Sequence, residues 1–423
     1  MPASELAELR SIIRNTTHAD EIASVEALME RAEQALTPAQ RSRILARSRS
    51  LVARCRESSS HPGALDAFLQ EFGLTNPEGV ALMCLAEALL RIPDETTADK
   101  LIAEKIGAGD WQAHLGKSRS HVVNASVWGL MLTGRLVTLD SDLATDIDGW
   151  MHRLVNRLGE PVVRTAVIQA MRILARQFVL GRTIDEALQT DDGRSEPRSL
   201  YSFDMLGEGA RTWSDAEQFY TSYSNAIDTV GLGESATDPK MANGISLKLS
   251  ALHPRYEQAQ RDAVLNDLGV KLLTLAVKAR SYGLGFSIDA EEASRLDLSL
   301  SLFEALARSP ELSNWNGLGF VLQAYQKRAP AIADWLISLG LETGRQIMVR
   351  LVKGAYWDAE IKHAQEQGFA DYPVFTRKTN TDLSFEVCAT RLLQAPRAIY
   401  PQFATHNATT VCQVIELAGN REY

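Results

Sequence analysis

Polar and ionisable side chains recur near the ends of six short apolar segments in the second half of the sequence. The segments span residues 201–206, 244–249, 285–288, 319–322, 347–352 and 399–404. The polar residues are Asp204, Lys248, Asp289, Gln323, Arg350, Lys353, His406 and Asn407. If the segments are strands of a TIM barrel, their carboxyl ends meet at one mouth, where active sites are built. The pattern predicts one shared polar site, although any single member could instead form a structural ion pair.

The residue types at these positions favour an anionic ligand over a metal ion. Aspartate, lysine, arginine, glutamine and histidine in this mixture make neither a metal cage nor a nucleophile triad, and the eight histidines include no His-Glu-x-x-His motif. Arg350 and Lys353, with Arg377 and Lys378 beyond them, could hold phosphates and stabilise developing negative charge. For Arg377 and Lys378 alone, a solvated surface is the alternative. We expect no metal.

Two aromatic residues follow the fifth segment. Tyr356 and Trp357 come directly after Lys353 and Gly354-Ala355, and Gly354 would allow a ligand to approach the backbone closely. A flat cofactor ring could stack on this pair. Core packing is the alternative, because aromatic side chains most often fill cores.

The sequence pattern around these residues indicates strands that alternate with helices. Such alternation predicts an α/β fold with a parallel sheet, either a barrel or a doubly wound sheet. The tetrapeptide Gly-Leu-Gly-Phe occurs at 283–286 and again at 317–320, each time entering a segment, as two equivalent βα units would. The repeat favours the barrel. The dinucleotide-like pattern at 231–236 follows a helical segment instead of a strand, so we reject a Rossmann interpretation.

The first half of the sequence is helical in pattern up to about residue 188. A polar, turn-rich stretch at 189–199 then separates it from the alternating region. We predict an N-terminal helical arm at 1–25, an all-α domain at 26–195 and a barrel at 196–423.

Composition excludes several classes of protein. The 423 residues are 45% hydrophobic and 23% charged, with mean hydropathy of -0.14, which is typical of a globular protein. The net charge of -9 provides no basic excess for nucleic acid. The four cysteines show no zinc or disulfide spacing, and the longest apolar stretch, at 79–90, is too short to span a bilayer. The acidic N-terminal residues lead us to expect no export signal. We expect a cytoplasmic protein whose contact with a membrane, where it occurs, is peripheral at the inner membrane.

Five segments closely resemble the flavin-dependent proline dehydrogenase domain of the bacterial proline utilization A family. Four of them contain the polar positions near the segment ends, all except Asp289 and Gln323, and one lies in the helical half. They are YSFDMLGE (201–208), SLKLSALHPRY (246–256), VRLVKGAYWD (349–358), YPQFATHN (400–407) and EGVALMCLAEALLRIP (78–93).

The resemblance implies a (βα)8 TIM-type barrel, with six strands in this chain, preceded by an all-α domain. It also implies oxidation of L-proline to Δ1-pyrroline-5-carboxylate by hydride transfer to FAD, with membrane quinone as the electron acceptor. This reaction is the first step of proline catabolism to glutamate. A homo-oligomer is compatible with the family.

The resemblance also assigns roles to individual residues. Arg350, Asp289 and Lys248 are the implied catalytic residues, with Arg350 near flavin N5 and Lys248 on the proline carboxylate. Asp289 organises the substrate side, and Leu351 and Tyr356 pack on the pyrrolidine ring. Implied FAD contacts come from Ala290, Gln323, Arg350, Val352, Lys353, Gly354, Ala355 and Trp357, and on the ribose, phosphate or adenine side from Arg377, Lys378, Thr405, His406 and Asn407.

The sequence also departs from the family pattern. The family's barrel has eight units, and its last helix carries an arginine pair for the proline carboxylate, whereas residue 423 comes about where a seventh strand would begin. We expect the chain to be a fragment of a longer bifunctional enzyme. Some relatives begin with a DNA-binding ribbon-helix-helix module; the acidic helical start here leads us to expect no DNA binding.

Two alternatives of different classes remain open. Lys248 at a strand end could be the Schiff-base lysine of a barrel aldolase. The chain could also serve only as a scaffold or oligomerisation module.

Overall fold

The computed structural model describes residues 5–58, 179–181, 183–190, 199–205 and 208–419. Most of the predicted all-α domain, with its family-like segment at 78–93, therefore lies outside the described residues. The chain divides into two compact units, one formed by residues 1–53 with 193–423 and the other by residues 54–192. The sheet belongs to the first unit, which also includes the first helices of the chain. The predicted domain bounds, with an arm at 1–25 and an all-α domain at 26–195, stay predictions.

Six parallel strands form one sheet in the described part of the chain. They are β1 (Ser202–Asp204), β2 (Gly244–Leu247), β3 (Gly285–Ile288), β4 (Leu318–Gln323), β5 (Ile347–Val352) and β6 (Ile399–Phe403). Each strand pairs only with its neighbours in the sequence, in the order β1-β2-β3-β4-β5-β6. A doubly wound sheet would reverse this order at a switch point, whereas a barrel does not. The predicted α/β fold of the TIM-barrel type is confirmed.

Helices connect the strands of the first unit. The helices in the described residues of the whole chain are α1 (Glu5–Asn15), α2 (Glu21–Ala35), α3 (Pro38–Ser58), α4 (Ile184–Thr190), α5 (Trp213–Gly233), α6 (Leu249–Leu252), α7 (Arg261–Ser281), α8 (Leu296–Arg308), α9 (Ala329–Thr343), α10 (Trp357–Glu366), α11 (Lys378–Leu393) and α12 (Ala408–Ala418). The dinucleotide-like glycines, Gly231 and Gly233, lie in the last turn of α5, consistent with rejecting the Rossmann interpretation.

The central strands are the most deeply buried part of the fold. Every residue of β3 and β4 is buried, as expected for parallel strands covered on both faces. Phe320 of β4 packs against Phe303 of α8, with ring centroids 5.0 Å apart. This rigid layer fixes the positions at which β3 and β4 end, and so the positions of Asp289 and Gln323.

Arg350 on β5 shows how strongly the sheet is curved. Its Nη2 donates to Ser202 Oγ on β1 at 2.6 Å, and its Nη1 donates to Ser246 Oγ on β2 at 3.2 Å. In a flat sheet β1 and β5 would lie about 19 Å apart, at about 4.8 Å per strand, beyond the reach of one side chain. The contact is possible because the sheet curls, which brings polar side chains of distant strands together on its inner face.

An N-terminal arm, formed by α1, α2 and the first part of α3, packs against the barrel helices. The buried Arg10 of α1 donates through Nη2 to Asp297 Oδ1 at 2.7 Å and to Ser301 Oγ at 2.9 Å on α8. Glu21 at the start of α2 accepts from Thr376 N at 3.0 Å and from Asn380 Nδ2 at 2.7 Å. The arm therefore supports the loop that precedes α11.

We predict that Asp297→Ala lowers the free energy of unfolding by about 3 kcal/mol, because it leaves the buried Arg10 without its anion. Limited proteolysis around residues 16–20 should increase as the arm detaches. Asp262→Ala, at the exposed start of α7, is the matched control and should leave both measurements near wild type. Equal losses in the two variants would contradict the prediction.

The ion pair between Arg10 and Asp297 also makes the stability of the folded protein depend on pH. Burial alone would raise the pKa of Asp297, but hydrogen bonding from Arg14 and the charges of Arg10, Arg14 and Arg261 outweigh it and lower the pKa. A lowered carboxyl pKa in the folded state stabilises the protein above the unfolded value of about 3.9. This contribution is lost as pH falls from there through the folded pKa.

Candidate active site

A cavity of about 550 Å³ opens at the carboxyl ends of the strands. Most of the predicted site residues line it. They are Lys248, Asp289, Ala290, Gln323, Arg350, Val352, Lys353, Gly354, Ala355, Tyr356, Lys378, Thr405, His406 and Asn407. Four of these side chains are lysine or arginine, and one is a carboxylate. The cavity therefore favours an anionic ligand.

Asp289, directly after β3, joins the polar groups on the inner face. Its carboxylate accepts from Ser246 Oγ at 2.5 Å and lies 3.4 Å from Lys248 Nζ and 3.5 Å from Arg350 Nη1. One carboxylate thus fixes both a lysine from β2 and an arginine from β5. Because the side chains are held by several partners each, the two cations are preorganised before any ligand binds.

Lys248, directly after β2, is held by acidic groups. Its Nζ donates to Asp204 Oδ2 at 2.8 Å, in addition to the contact with Asp289, and lies 3.9 Å from Glu208 Oε2. Burial alone would lower the pKa of Lys248, but Asp204 and Asp289 outweigh it and raise the pKa. A lysine held as an ammonium ion is a poor amine nucleophile. This arrangement disfavours the aldolase alternative and suits Lys248 to binding an anion.

Gly354 follows β5 at a place where a side chain does not fit. Its φ is +135°, and a Cβ built on it would lie 2.4 Å from the ring of Tyr325. The backbone there is held against β4, since Tyr325 N donates to Lys353 O at 2.8 Å. Tyr325 therefore requires glycine at this position, and Gly354 itself lines the cavity as main chain that a flat ring can approach.

A second group of charges lies where β5 and α11 meet. Lys353 Nζ contacts Asp382 Oδ1 at 2.6 Å, and Lys378 Nζ contacts Asp382 Oδ2 at 2.8 Å. Asn407 caps the N-terminus of α12 by accepting from Thr410 N at 3.0 Å. Two lysines near the N-terminal ends of two helices favour a ligand that carries phosphates.

Three predicted site residues do not line the cavity. Leu351 is fully buried, next to Arg350 on a strand whose side chains alternate between faces. Trp357 is partly exposed and donates from Nε1 to Phe375 O at 2.9 Å. Arg377 is exposed, and its neighbour Lys378 lines the cavity in its place.

Several residues that matter here were not anticipated. Ser202 and Ser246 hold Arg350, Asp382 pairs with both lysines of the second group, and Glu208 Oε2 lies 3.5 Å from Tyr356 Oη. Ser246 could have been found, because it lies two residues before Lys248 and therefore shares its face of β2. Asp382 lies four residues after Lys378 on one helix, which is also a detectable spacing.

In the parts of the chain that the structure describes, no group of histidine, cysteine or acidic side chains could hold a metal ion. Cys388 and Cys412, both buried, are free thiols. Among the same residues, no helix combines the length and apolarity that a membrane span requires.

Comparisons with known proteins agree with the geometry. The family model for proline dehydrogenase matches residues 187–423, more than half of the chain. A second model, described as the DNA-binding domain of proline dehydrogenase, matches residues 64–178. That description runs against our expectation of no DNA binding, and the matched segment lies outside the residues that the structure describes.

The chain is similar to part of several longer proteins. The bifunctional protein PutA of Salmonella typhimurium is 47% identical over 415 residues, which is 98% of this chain and 31% of the relative. The bifunctional protein PutA of Escherichia coli is 50% identical over 368 residues, covering 87% of this chain and 28% of the relative. The chain thus spans less than a third of these relatives.

A solved structure supports the same relationship. The crystal structure of a mutant proline utilization A from Bradyrhizobium japonicum matches with a TM-score of 0.69 and 45% identity, over 94% of this chain and 40% of that chain. The family model covers every strand of the described sheet. The chain belongs to the proline dehydrogenase family.

Proposed function

We propose that the protein oxidises L-proline to Δ1-pyrroline-5-carboxylate, with FAD as the hydride acceptor. The observation that carries this proposal is the cationic cavity at the barrel mouth, where Asp289 fixes Lys248 and Arg350 in a member of the proline dehydrogenase family. One cation can meet the substrate carboxylate while the other faces the reacting centre.

FAD fits the residues present. Gly354 provides main chain that a flat ring can approach, and Tyr356 lies beside it on the cavity wall. Lys353, Lys378 and His406 line the same cavity and could hold the diphosphate. When bound, FAD supplies the acceptor for a hydride, a chemistry that no protein side chain provides.

The residues of the chain bind and align the substrate. Lys248 holds the proline carboxylate, and Asp289 keeps Lys248 and Arg350 apart at fixed distances. Arg350 would place positive charge beside the hydride acceptor, which gains negative charge when it receives the hydride. A strong general base is unnecessary, because hydride departure from an amine carbon requires an unprotonated nitrogen and good alignment.

The side chain of Tyr356 stays neutral in this site. Burial and the nearby Glu208 carboxylate raise the pKa of its phenol. A neutral aromatic ring packs against the apolar ring of proline without competing for its carboxylate.

The proposal extends to the electron acceptor and to the place of the protein in the cell. The reduced cofactor passes its electrons to a membrane quinone, which requires a cytoplasmic protein to meet the inner membrane peripherally. The reaction would begin the catabolism of proline to glutamate.

The direct test is L-proline-dependent reduction of a quinone analogue by the purified full-length polypeptide. We expect turnover and the absorption bands of bound flavin. Borohydride trapping of Lys248 with a carbonyl substrate, without flavin, would instead support an aldolase, and absence of both activities would leave a scaffold role.

We predict that Gly354→Ala abolishes most FAD binding, because the new Cβ would collide with Tyr325 in a backbone conformation that alanine rarely adopts. Flavin content per polypeptide should fall about tenfold or more, an amount equal to about 1.4 kcal/mol. Gly368→Ala is the matched control, since Gly368 also has a positive φ of +66° but open space around it. Equal flavin loss in both variants would indicate a general destabilisation and would contradict the prediction.

A further inference from the structure

Three buried polar side chains form a series behind the cavity. Gln323 ends β4 and lines the cavity, and Gln326 and Arg328 follow it in the turn before α9. Each is at most 4% exposed. Arg328 Nε donates to Gln326 Oε1 at 2.8 Å, Gln326 Nε2 donates to Gln323 Oε1 at 3.4 Å, and Gln323 Nε2 donates to Glu291 O at 3.2 Å.

The arginine at one end and the Glu291 carbonyl at the other set the same direction for the hydrogen bonds in this series. A guanidinium group only donates, so Gln326 must turn its oxygen toward Arg328 and its Nε2 toward Gln323. Gln323 must then turn its oxygen toward Gln326, which leaves its Nε2 group on the other side. That group has two hydrogens, and only one of them is needed for Glu291 O.

Arg328 is itself firmly held. Its Nη1 donates to Thr17 Oγ1 of the N-terminal arm at 3.0 Å, and its Nη2 donates to Ala293 O. Burial lowers the pKa of Arg328 to about 10, so the group remains a cation at neutral pH. The turn is tied to the end of β5 and to the residue after it, since Ala324 N donates to Val352 O and Tyr325 N donates to Lys353 O, both at 2.8 Å. Arg328 therefore holds one end of the series in place, and the backbone hydrogen bonds hold the series next to the cavity residues that follow β5.

We propose that Arg328 is a positioning residue that acts through Gln326 to make Gln323 present an N–H donor to the cavity, a role that rests on the proposed function. A donor at the flavin ring stabilises the more electron-rich reduced state relative to the oxidised state. Arg328 and Gln326 thus raise the reduction potential of a cofactor that neither residue touches.

Two substitutions at Gln326 separate this role from simpler effects. Gln326→Glu keeps an acceptor for Arg328 but adds a charge, and Gln326→Met adds no charge but removes that acceptor. The two variants share only the loss of the donor to Gln323. Gln365→Glu, on the exposed face of α10, is the matched control for the change in charge.

The measurement is the midpoint potential of bound flavin in the full-length polypeptide, with the unfolding temperature recorded alongside. We expect both Gln326 variants to favour the reduced flavin about tenfold less than wild type, a fall of about 30 mV for a two-electron couple. The Gln365→Glu potential should match wild type. The proposal is overturned if neither Gln326 variant shifts the potential, or if only Gln326→Glu does, since added charge would then explain the shift.

The outcome also separates this proposal from the proposed function. A wild-type protein that binds no FAD overturns both. A wild-type protein that binds FAD and oxidises proline, with unshifted potentials in both Gln326 variants, overturns the role of Arg328 alone.

Discussion

Replacing Arg350 with methionine is expected to lower kcat/KM for L-proline by about a hundredfold or more, about 2.7 kcal/mol of transition-state stabilisation. Arg350 is held by Ser202, Ser246 and Asp289, so its charge is fixed at the cavity wall before the reaction begins. Removing a preorganised cation costs more in the transition state than in the ground state. The loss should therefore appear mainly in kcat.

Two further variants make the Arg350 measurement specific. Arg350→Lys keeps the charge but cannot bridge the two serines at once, so its activity should lie between those of wild type and Arg350→Met. Arg397→Met changes an exposed arginine and should leave kcat/KM unchanged. If Arg350→Met keeps the wild-type kcat, Arg350 does not stabilise the transition state and the prediction is wrong.

Replacing Lys248 with methionine is expected to raise KM for L-proline about ten- to a hundredfold, the range for losing one hydrogen bond to a charged group. The effect should fall on KM more than on kcat, because Lys248 holds a carboxylate that does not react. Since Asp204 and Asp289 raise the pKa of Lys248, its charge should not change between pH 6 and 9, and KM should show no step from this lysine there.

The controls for Lys248 address charge and alternative chemistry. Lys362→Met removes a surface lysine from α10 and should leave KM unchanged. Lys248→Arg should recover part of the affinity, because an arginine can also meet a carboxylate. A complete loss of kcat with unchanged KM would contradict a binding role and would point back to covalent chemistry at this lysine.

The strands were predictable where the sequence contains a fully buried run with clear ends. Residues 285–288 and 347–352 match β3 and β5 to the residue. The prediction for β2 was two residues too long, because Leu249 begins the short helix α6 and is as apolar as the strand before it. Apolar character alone does not separate the end of a buried strand from the start of a buried helix.

The direction of each side chain on β5 determines which residues of the family-like motif line the cavity. Arg350 and Val352 line the cavity, whereas Leu351 between them is buried outside it. Alternation along a strand separates neighbouring residues by face, so a motif that names consecutive residues does not place all of them in one cavity.

The role of the N-terminal arm could not be predicted from local patterns. Arg10 and Asp297 are 287 residues apart, and Glu21 meets Asn380 across 359 residues. An amphipathic helix indicates that one face is buried but does not indicate which surface covers it. Local patterns therefore do not indicate that the arm packs on the barrel. In the structure it contacts the loop before α11 through Glu21 and the turn before α9 through Thr17.

If the cavity oxidises proline with a bound flavin, L-proline must reduce that flavin without any other electron donor. Anaerobic addition of L-proline to the purified, flavin-loaded full-length polypeptide should bleach the visible flavin absorption, and Arg350→Met should bleach about a hundredfold more slowly. A flavin-loaded wild-type protein whose absorption does not change with saturating L-proline would contradict the proposed function.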